Sequence, residues 1–185
     1  MFGRENEGMD NVTIVTTNWE TPTPHDTFPV LYVRTNNTDN EVKSSLVRFT
    51  GLNLPANAQI VKAELSLYYS GQSVNAGDMT VYVSGPQRPW LAPQTTWVAY
   101  SNGQFWQATG AKGTEDRGLH SHVRTVRYTE VGSWLSFDVT DLAQQGVYEF
   151  LLFGSYAGVN KDIQFPSDEY WDAFKRPKLV ITYTS

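Results

Sequence analysis

Hydrophobic and polar positions alternate with a period of two along most of the chain. Ala63, Leu65, Leu67 and Tyr69 interleave with Lys62, Glu64, Ser66 and Tyr68, the pattern of a strand with one buried and one polar face. Val81 and Val83 alternate in the same way with Thr80, Tyr82 and Ser84. Runs rich in β-branched and aromatic residues at 12–17, 30–34, 46–50, 123–128, 134–139, 148–153 and 179–184 extend the series. Turn formers separate them, at 54–57, 75–78, 101–103 and Gly146. A single short helix is predicted over 140–145, with Thr140 as N-cap, Asp141 in its first turn and Gly146 as its stop. Short strands at this spacing predict an all-β antiparallel sandwich or barrel. Its expected core contains Leu65, Leu67, Val81, Val83, Trp97, Trp134 and Val180.

One stretch breaks the pattern. Residues 85–118 are long and irregular and carry Trp90, Trp97 and Trp106. A loop of this size inside a compact domain is either functional or packed by its own side chains. No internal repeat, low-complexity tract or linker divides the chain. The expected organisation is a polar N-terminal arm over residues 1–11 and one β-sandwich domain over residues 12–185, a length that suits one core.

Composition narrows the function classes. The absence of cysteine among 185 residues removes disulfides, thiolate metal sites and cysteine nucleophiles together. A net charge of -5 argues against a nucleic-acid-binding surface. No apolar stretch approaches the roughly 18 residues that span a bilayer, so no membrane insertion is expected. Residues 1–10 lack the succession of charged, apolar and small residues that marks a secretory signal.

Four blocks carry a family resemblance: SLVRFTGLNLPANAQIVKAELSLY at 45–68; TTW at 95–97 with GQFW at 103–106 and GAKG at 110–113; WLSFDVTDL at 134–142; and FPSDEY at 165–170 with RPKLVITY at 176–183. In order and spacing they resemble the DNRLRE-type, disaggregatase-related β-sandwich domain, counted among carbohydrate-binding modules. The resemblance covers about residues 30–184. It implies a jelly-roll sandwich that binds extracellular polysaccharide and performs no catalysis. Residues 13–24 depart from the family's first-strand pattern, so no ligand or ion contact is carried over to that edge. Members of the family are commonly appended to secreted enzymes or surface proteins, whereas this chain starts at Met1 without a leader and ends with the domain. That context suits a protein assembled inside a cell, such as a phage virion component. The expected location is thus an extracellular surface or a virion.

Aromatic side chains are the first candidates for ligand contact, because an aromatic face matches the C–H face of a pyranose and its polar neighbours can bond the hydroxyls. Of the six tryptophans, Trp90, Trp97 and Trp134 are expected to pack in the core, whereas Trp19, Trp106 and Trp171 fall in turns or loops. Tyr68, Tyr82, Lys62 and Arg48 are expected on the outward face of neighbouring strands, as a shared binding surface or as an ordinary solvated sheet face. The candidate ligand-binding set is therefore Trp106, Trp171, Tyr68, Tyr82, Arg48 and Lys62. Acid pairs at Glu115 and Asp116, Asp138 and Asp141, and Asp168 and Glu169 with Asp172 leave calcium open as a ligand, although none has EF-hand spacing. His120 and His122 sit two apart with only His25 elsewhere, too few for a zinc centre or a serine triad. Two functions follow from this reading: a non-catalytic module for a polysaccharide or cell-surface glycan, or a virion decoration or tail component. In the second, residues Met1 to Asp10, with Phe2 as anchor, would pack on another copy or on a virion subunit.

Overall fold

The computed structural model describes residues 8–15, 24–36, 42–72, 77–155 and 160–185; the side chains of residues 8, 10–15 and 119–121 fall outside the description. Among these residues the strands are β1 (Gly8–Val15), β2 (Val30–Thr35), β3 (Lys43–Thr50), β4 (Gln59–Tyr68), β5 (Met79–Pro86), β6 (Ala99–Ser101), β7 (Gln104–Phe105), β8 (Arg117–Val126), β9 (Trp134–Asp138), β10 (Glu149–Gly154), β11 (Lys161–Pro166) and β12 (Lys178–Thr184). One helix, α1 (Thr140–Gln144), has five residues. The large sheet runs β11-β2-β3-β10-β5-β8 with β1 added on β3, and the small sheet runs β12-β4-β9. The pairings are antiparallel. The chain passes to the small sheet at β4, β9 and β12 and returns between them. This is the all-β antiparallel sandwich that the alternation predicts, with the chain shuttling between layers as in a jelly roll.

Alternation places the core. Val47, Phe49, Val81, Val83, Phe150 and Leu152 from the large sheet meet Ala63, Leu65, Leu67, Leu135, Phe137, Leu179 and Ile181 from the small one. A second apolar cluster lies on the opposite face of the large sheet. There Leu46, Leu151 and Phe153, with Tyr82 against them, are covered by Trp90, Trp97, Trp106 and Ala111 of the irregular stretch. Both faces of β10 are therefore buried, which is why residues 150–153 read as an unbroken apolar run instead of alternating.

The covering stretch is fastened by its own polar groups. Thr95 donates its hydroxyl to the carbonyls of Leu91 and Tyr100 at 2.8 and 2.9 Å, and the Trp106 indole N–H donates to the Thr96 carbonyl at 3.0 Å. Asp116, fully buried, accepts N–H groups from Gln107, Ala108 and Gly113 at 2.9, 3.0 and 3.0 Å. Gly110 is needed twice over: its φ is 76°, and a Cβ there would run into the Trp97 ring.

The structure corrects several expectations. Trp134 is 41% exposed and Val180 39% exposed. In β9 the inward positions are Leu135 and Phe137, and in β12 they are Leu179 and Ile181, so the neighbouring Trp134 and Val180 point outward by the period of two. Trp106, offered as a loop aromatic, is buried because its loop folds back on the large sheet. In α1 the position before Thr140 is Val139, and Asp138 supplies the capping carboxylate, accepting the Thr140 N–H at 3.0 Å. The first strand starts at Gly8, so Gly8 to Asp10 of the expected arm pair with Thr50 to Arg48 of the same chain. Phe2 and Trp19 lie outside the described residues.

Candidate functional site

The two outer faces of the sandwich differ. That of the large sheet is roofed by the tryptophan-bearing stretch. The outer face of the small sheet is built by the polar half of each strand's alternation: Lys62, Glu64, Ser66 and Tyr68 of β4, Trp134, Ser136 and Asp138 of β9, and Lys178, Val180 and Thr182 of β12. Cross-strand register places Tyr68 opposite Trp134, and their rings meet edge to face with centroids 5.7 Å apart, a favoured aromatic geometry.

The loop between β11 and β12 adds to this end of the sheet. Trp171 is 79% exposed and Phe174 81% exposed, and Tyr170 packs against Trp171 at 5.5 Å. Asp172 holds the 3₁₀ turn Ala173–Lys175 by accepting the Phe174 N–H at 3.2 Å. Its other oxygen pairs with the Lys175 ammonium at 3.3 Å. Lys175 thereby sits between two rings, 5.1 Å from the Tyr68 centroid and 5.8 Å from that of Trp171. The hydrogen bond that Lys175 donates to Asp172 raises the Lys175 pKa, so the ammonium is charged at neutral pH. Lys178 lies 4.7 Å over Trp134. The result is a cluster of exposed Trp134 and Trp171 and half-buried Tyr68 with two ammonium groups set among the rings.

The six sequence candidates do not share one surface. Tyr68 and Trp171 belong to this cluster. Lys62 is on the same face further along β4 and pairs with Glu64 at 3.0 Å; that bond, with one from Ser136, holds the Glu64 carboxyl below its ordinary range. Tyr82 and Arg48 are on the other sheet, because β3 and β5 are not neighbours of β4. Tyr82 stacks on Phe153 at 5.2 Å in the roofed cluster. The Arg48 guanidinium lies 4.2 Å over Trp90, donates to the Trp90 carbonyl at 2.7 Å and pairs with Glu149 at 2.9 Å. It is a clamp on the roof. Trp106 is part of that roof. Sequence reasoning missed Trp134, Lys175 and Lys178; the phase of Leu135 and Phe137 was the signal that could have turned Trp134 outward.

Several of the paired acids are engaged within the fold: Asp172 as above, and Glu115, Asp116 and Asp138 as follows. Glu115 and Asp116 both bind Arg88, at 2.8 and 3.3 Å. Asp138 accepts the N–H and hydroxyl of Thr140, which lowers its pKa. Among the described residues no group of three or more His, Cys, Asp or Glu could hold a metal ion. His122 packs edge-on against Phe137 at 5.8 Å, and a register shift of β8 against β5 falls between it and His120. Among the described residues no helix is long and apolar enough to cross a membrane. No family model matches the chain, and no curated protein matches it.

Proposed function

We propose that the protein is a non-catalytic carbohydrate-binding module, displayed at an extracellular surface or on a virion, and that its glycan lies on the outer face of the small sheet. The observation that carries this reading is the cluster of exposed Trp171 and Trp134 with half-buried Tyr68, the ammonium groups of Lys175 and Lys178 lying among the rings. Rings supply stacking surface for pyranose C–H faces, and the ammoniums donate to hydroxyls at the ring margins. The block resemblance to a carbohydrate-binding sandwich points the same way. Affinity electrophoresis in gels loaded with a panel of polysaccharides tests it. Retardation by at least one glycan is expected, with Trp171→Ala and Trp134→Ala each weakening binding by about tenfold or more, the usual loss at an aromatic anchor. Retention of full binding by both variants would remove the glycan from this face.

A second reading, a virion decoration or tail component, is favoured by one observation. Phe174 and Val180 extend the exposed patch with purely apolar surface, and such patches serve contacts between proteins. Light scattering separates the two: concentration-dependent association that Phe174→Asp abolishes supports assembly, whereas a monomer that binds glycan supports the module.

A further inference from the structure

A sandwich has strand edges as well as faces, and an edge strand carries backbone N–H and C=O groups onto which a further strand can add. The edges at β9, β8 and β11 are protected. At β9 the Arg124 guanidinium of β8 donates to the Ser136 carbonyl at 3.0 Å. β8 itself is broken against β5 by register shifts between Val83 and Pro86, irregularities that spoil an edge as a template. β11 is met from its free side by the chain that follows β4. There the Ser70 N–H donates to the Gln164 carbonyl at 3.0 Å, and the Gln164 N–H donates to the Gly71 carbonyl at 2.9 Å.

β12 has none of these protections. It ends the small sheet and runs in unbroken register with β4 from Lys178 to Thr182. Its neighbour shows which of its backbone groups face outward. The Ala63 N–H donates to the Thr140 hydroxyl and the Ala63 carbonyl accepts the Val139 N–H, both at 3.0 Å, so Ala63 turns both groups away from β12. Ile181 is opposite Ala63 and therefore turns its own N–H and C=O to the open side; by the period of two, Leu179 does the same. Among the described residues neither has a hydrogen-bond partner there. Charge does not guard the edge either. The strand holds no carboxylate, and its one ammonium, that of Lys178, leans back across β4 to lie 4.7 Å over Trp134 of β9. At the centre of the edge is the exposed Val180.

We infer that β12 is a dimer edge, and that its occupant is β12 of a second copy of this chain, antiparallel about a two-fold axis at Val180. The strand itself selects that register. Leu179 of each copy falls opposite Ile181 of the other, so the unpaired groups meet, and each such pair exchanges two N–H···O bonds. Val180 meets Val180 of the second copy at the non-hydrogen-bonded position, where side chains are closest. Lys178 falls opposite Thr182, so no like charges face each other. Slipping the pairing one way brings Pro177, which has no N–H, opposite Ile181; slipping it the other way runs into the register shift between Thr182 and Tyr183. A self-complementary edge of this kind closes at two copies. The two small sheets then form one continuous sheet with both aromatic clusters on the same side. Where the glycan reading holds, one polysaccharide chain meets two clusters and gains avidity; the dimer itself does not depend on that reading.

Light scattering from micromolar to millimolar protein tests the inference, and the mass should rise to twice that of the monomer. Val180→Lys sets two ammoniums opposite each other and should return the monomer. Its near-ultraviolet circular dichroism should match the parent, because position 180 faces solvent. Phe174→Asp should leave the dimer in place. The chain has no cysteine, so single thiols report the register. Val180→Cys should form an intermolecular disulfide in a thiol–disulfide buffer, since Cα atoms at such a position are within bridging range. Thr182→Cys should not, because its two copies are about 13 Å apart along the strands at about 3.3 Å per residue. The inference is overturned if the parent stays monomeric throughout that range, if Val180→Lys keeps the dimer, if Phe174→Asp abolishes it, or if Thr182→Cys cross-links as readily as Val180→Cys. A dimer that retains all these properties but is retarded by no glycan would strike the carbohydrate reading alone.

Discussion

A single step of phase along a strand decides whether a tryptophan is core or surface. Trp134 and Phe137 are three residues apart in β9 and so face opposite ways. Trp134, at 41% exposure, should lose about 1–2 kcal/mol of stability on truncation to alanine, whereas Phe137→Ala should lose about 3–5 kcal/mol. Urea unfolding midpoints of the two variants check the order. Asp116 shows the same dependence on surroundings. Burial alone would raise its pKa, but N–H groups of Ala108 and Gln107, the Arg88 guanidinium and the Gly113 N–H outweigh burial and lower it. A folded pKa below the unfolded value near 3.9 means that the stabilisation is complete above about pH 4 and is lost as pH falls through the folded value. Glu130, with the Arg127 N–H as the first of its causes, is lowered in the same sense. Asp116→Asn cannot accept at both oxygens, so it should cost about 1–3 kcal/mol at pH 7. It should also flatten the fall in stability below about pH 4, read from chemical denaturation at each pH.

At the scale of elements, the strands were legible where alternation or an apolar run is unbroken, as in β4, β5, β9, β10 and β12. β11 was not, because Lys161 and Asp162 interrupt its apolar residues; the buried Asp162, opposite Arg34 in the ladder, is a tertiary choice that no local pattern encodes. Alternation gives which side of a strand faces in, but it does not say which sheet the strand joins. That is why Tyr68 and Tyr82, both correctly turned away from the inter-sheet core, were expected together and lie on different sheets. The irregular stretch was legible as a loop that is either functional or self-packed but not as a roof, since its partners Leu46, Leu151 and Phe153 are remote in sequence. Gly110→Ala tests the roof as an element. With positive φ and the Trp97 ring in the way, the variant should lose about 1–3 kcal/mol or more from strain and displaced packing. Hydrogen exchange should then rise in residues 90–116 before it rises in β4 and β9, and a uniform rise throughout the sandwich would deny the roof its separate character.

For the whole molecule, the consequence is a division of labour between two outer faces. On the large sheet's outer face Trp90, Trp97 and Trp106, at 0%, 9% and 5% exposure, are packed over Leu46, Leu151 and Phe153, and the small sheet's end presents Trp134 and Trp171, at 41% and 79%. A ligand reaching the sandwich from solvent therefore meets the indoles of one face and not those of the other, and the molecule's surface chemistry is polarised although its tryptophans are spread along the chain. Limited oxidation by N-bromosuccinimide with peptide mapping reads this directly. Among the five described indoles, Trp171 should react first and Trp134 next, while Trp90, Trp97 and Trp106 should stay intact until the fold opens, because reagent access follows exposure. A bound polysaccharide should then slow Trp171 and Trp134 and leave the other three unaffected. Early loss of Trp106 would mean that the roof opens in solution, and it would return the large sheet's outer face to contention as a binding surface.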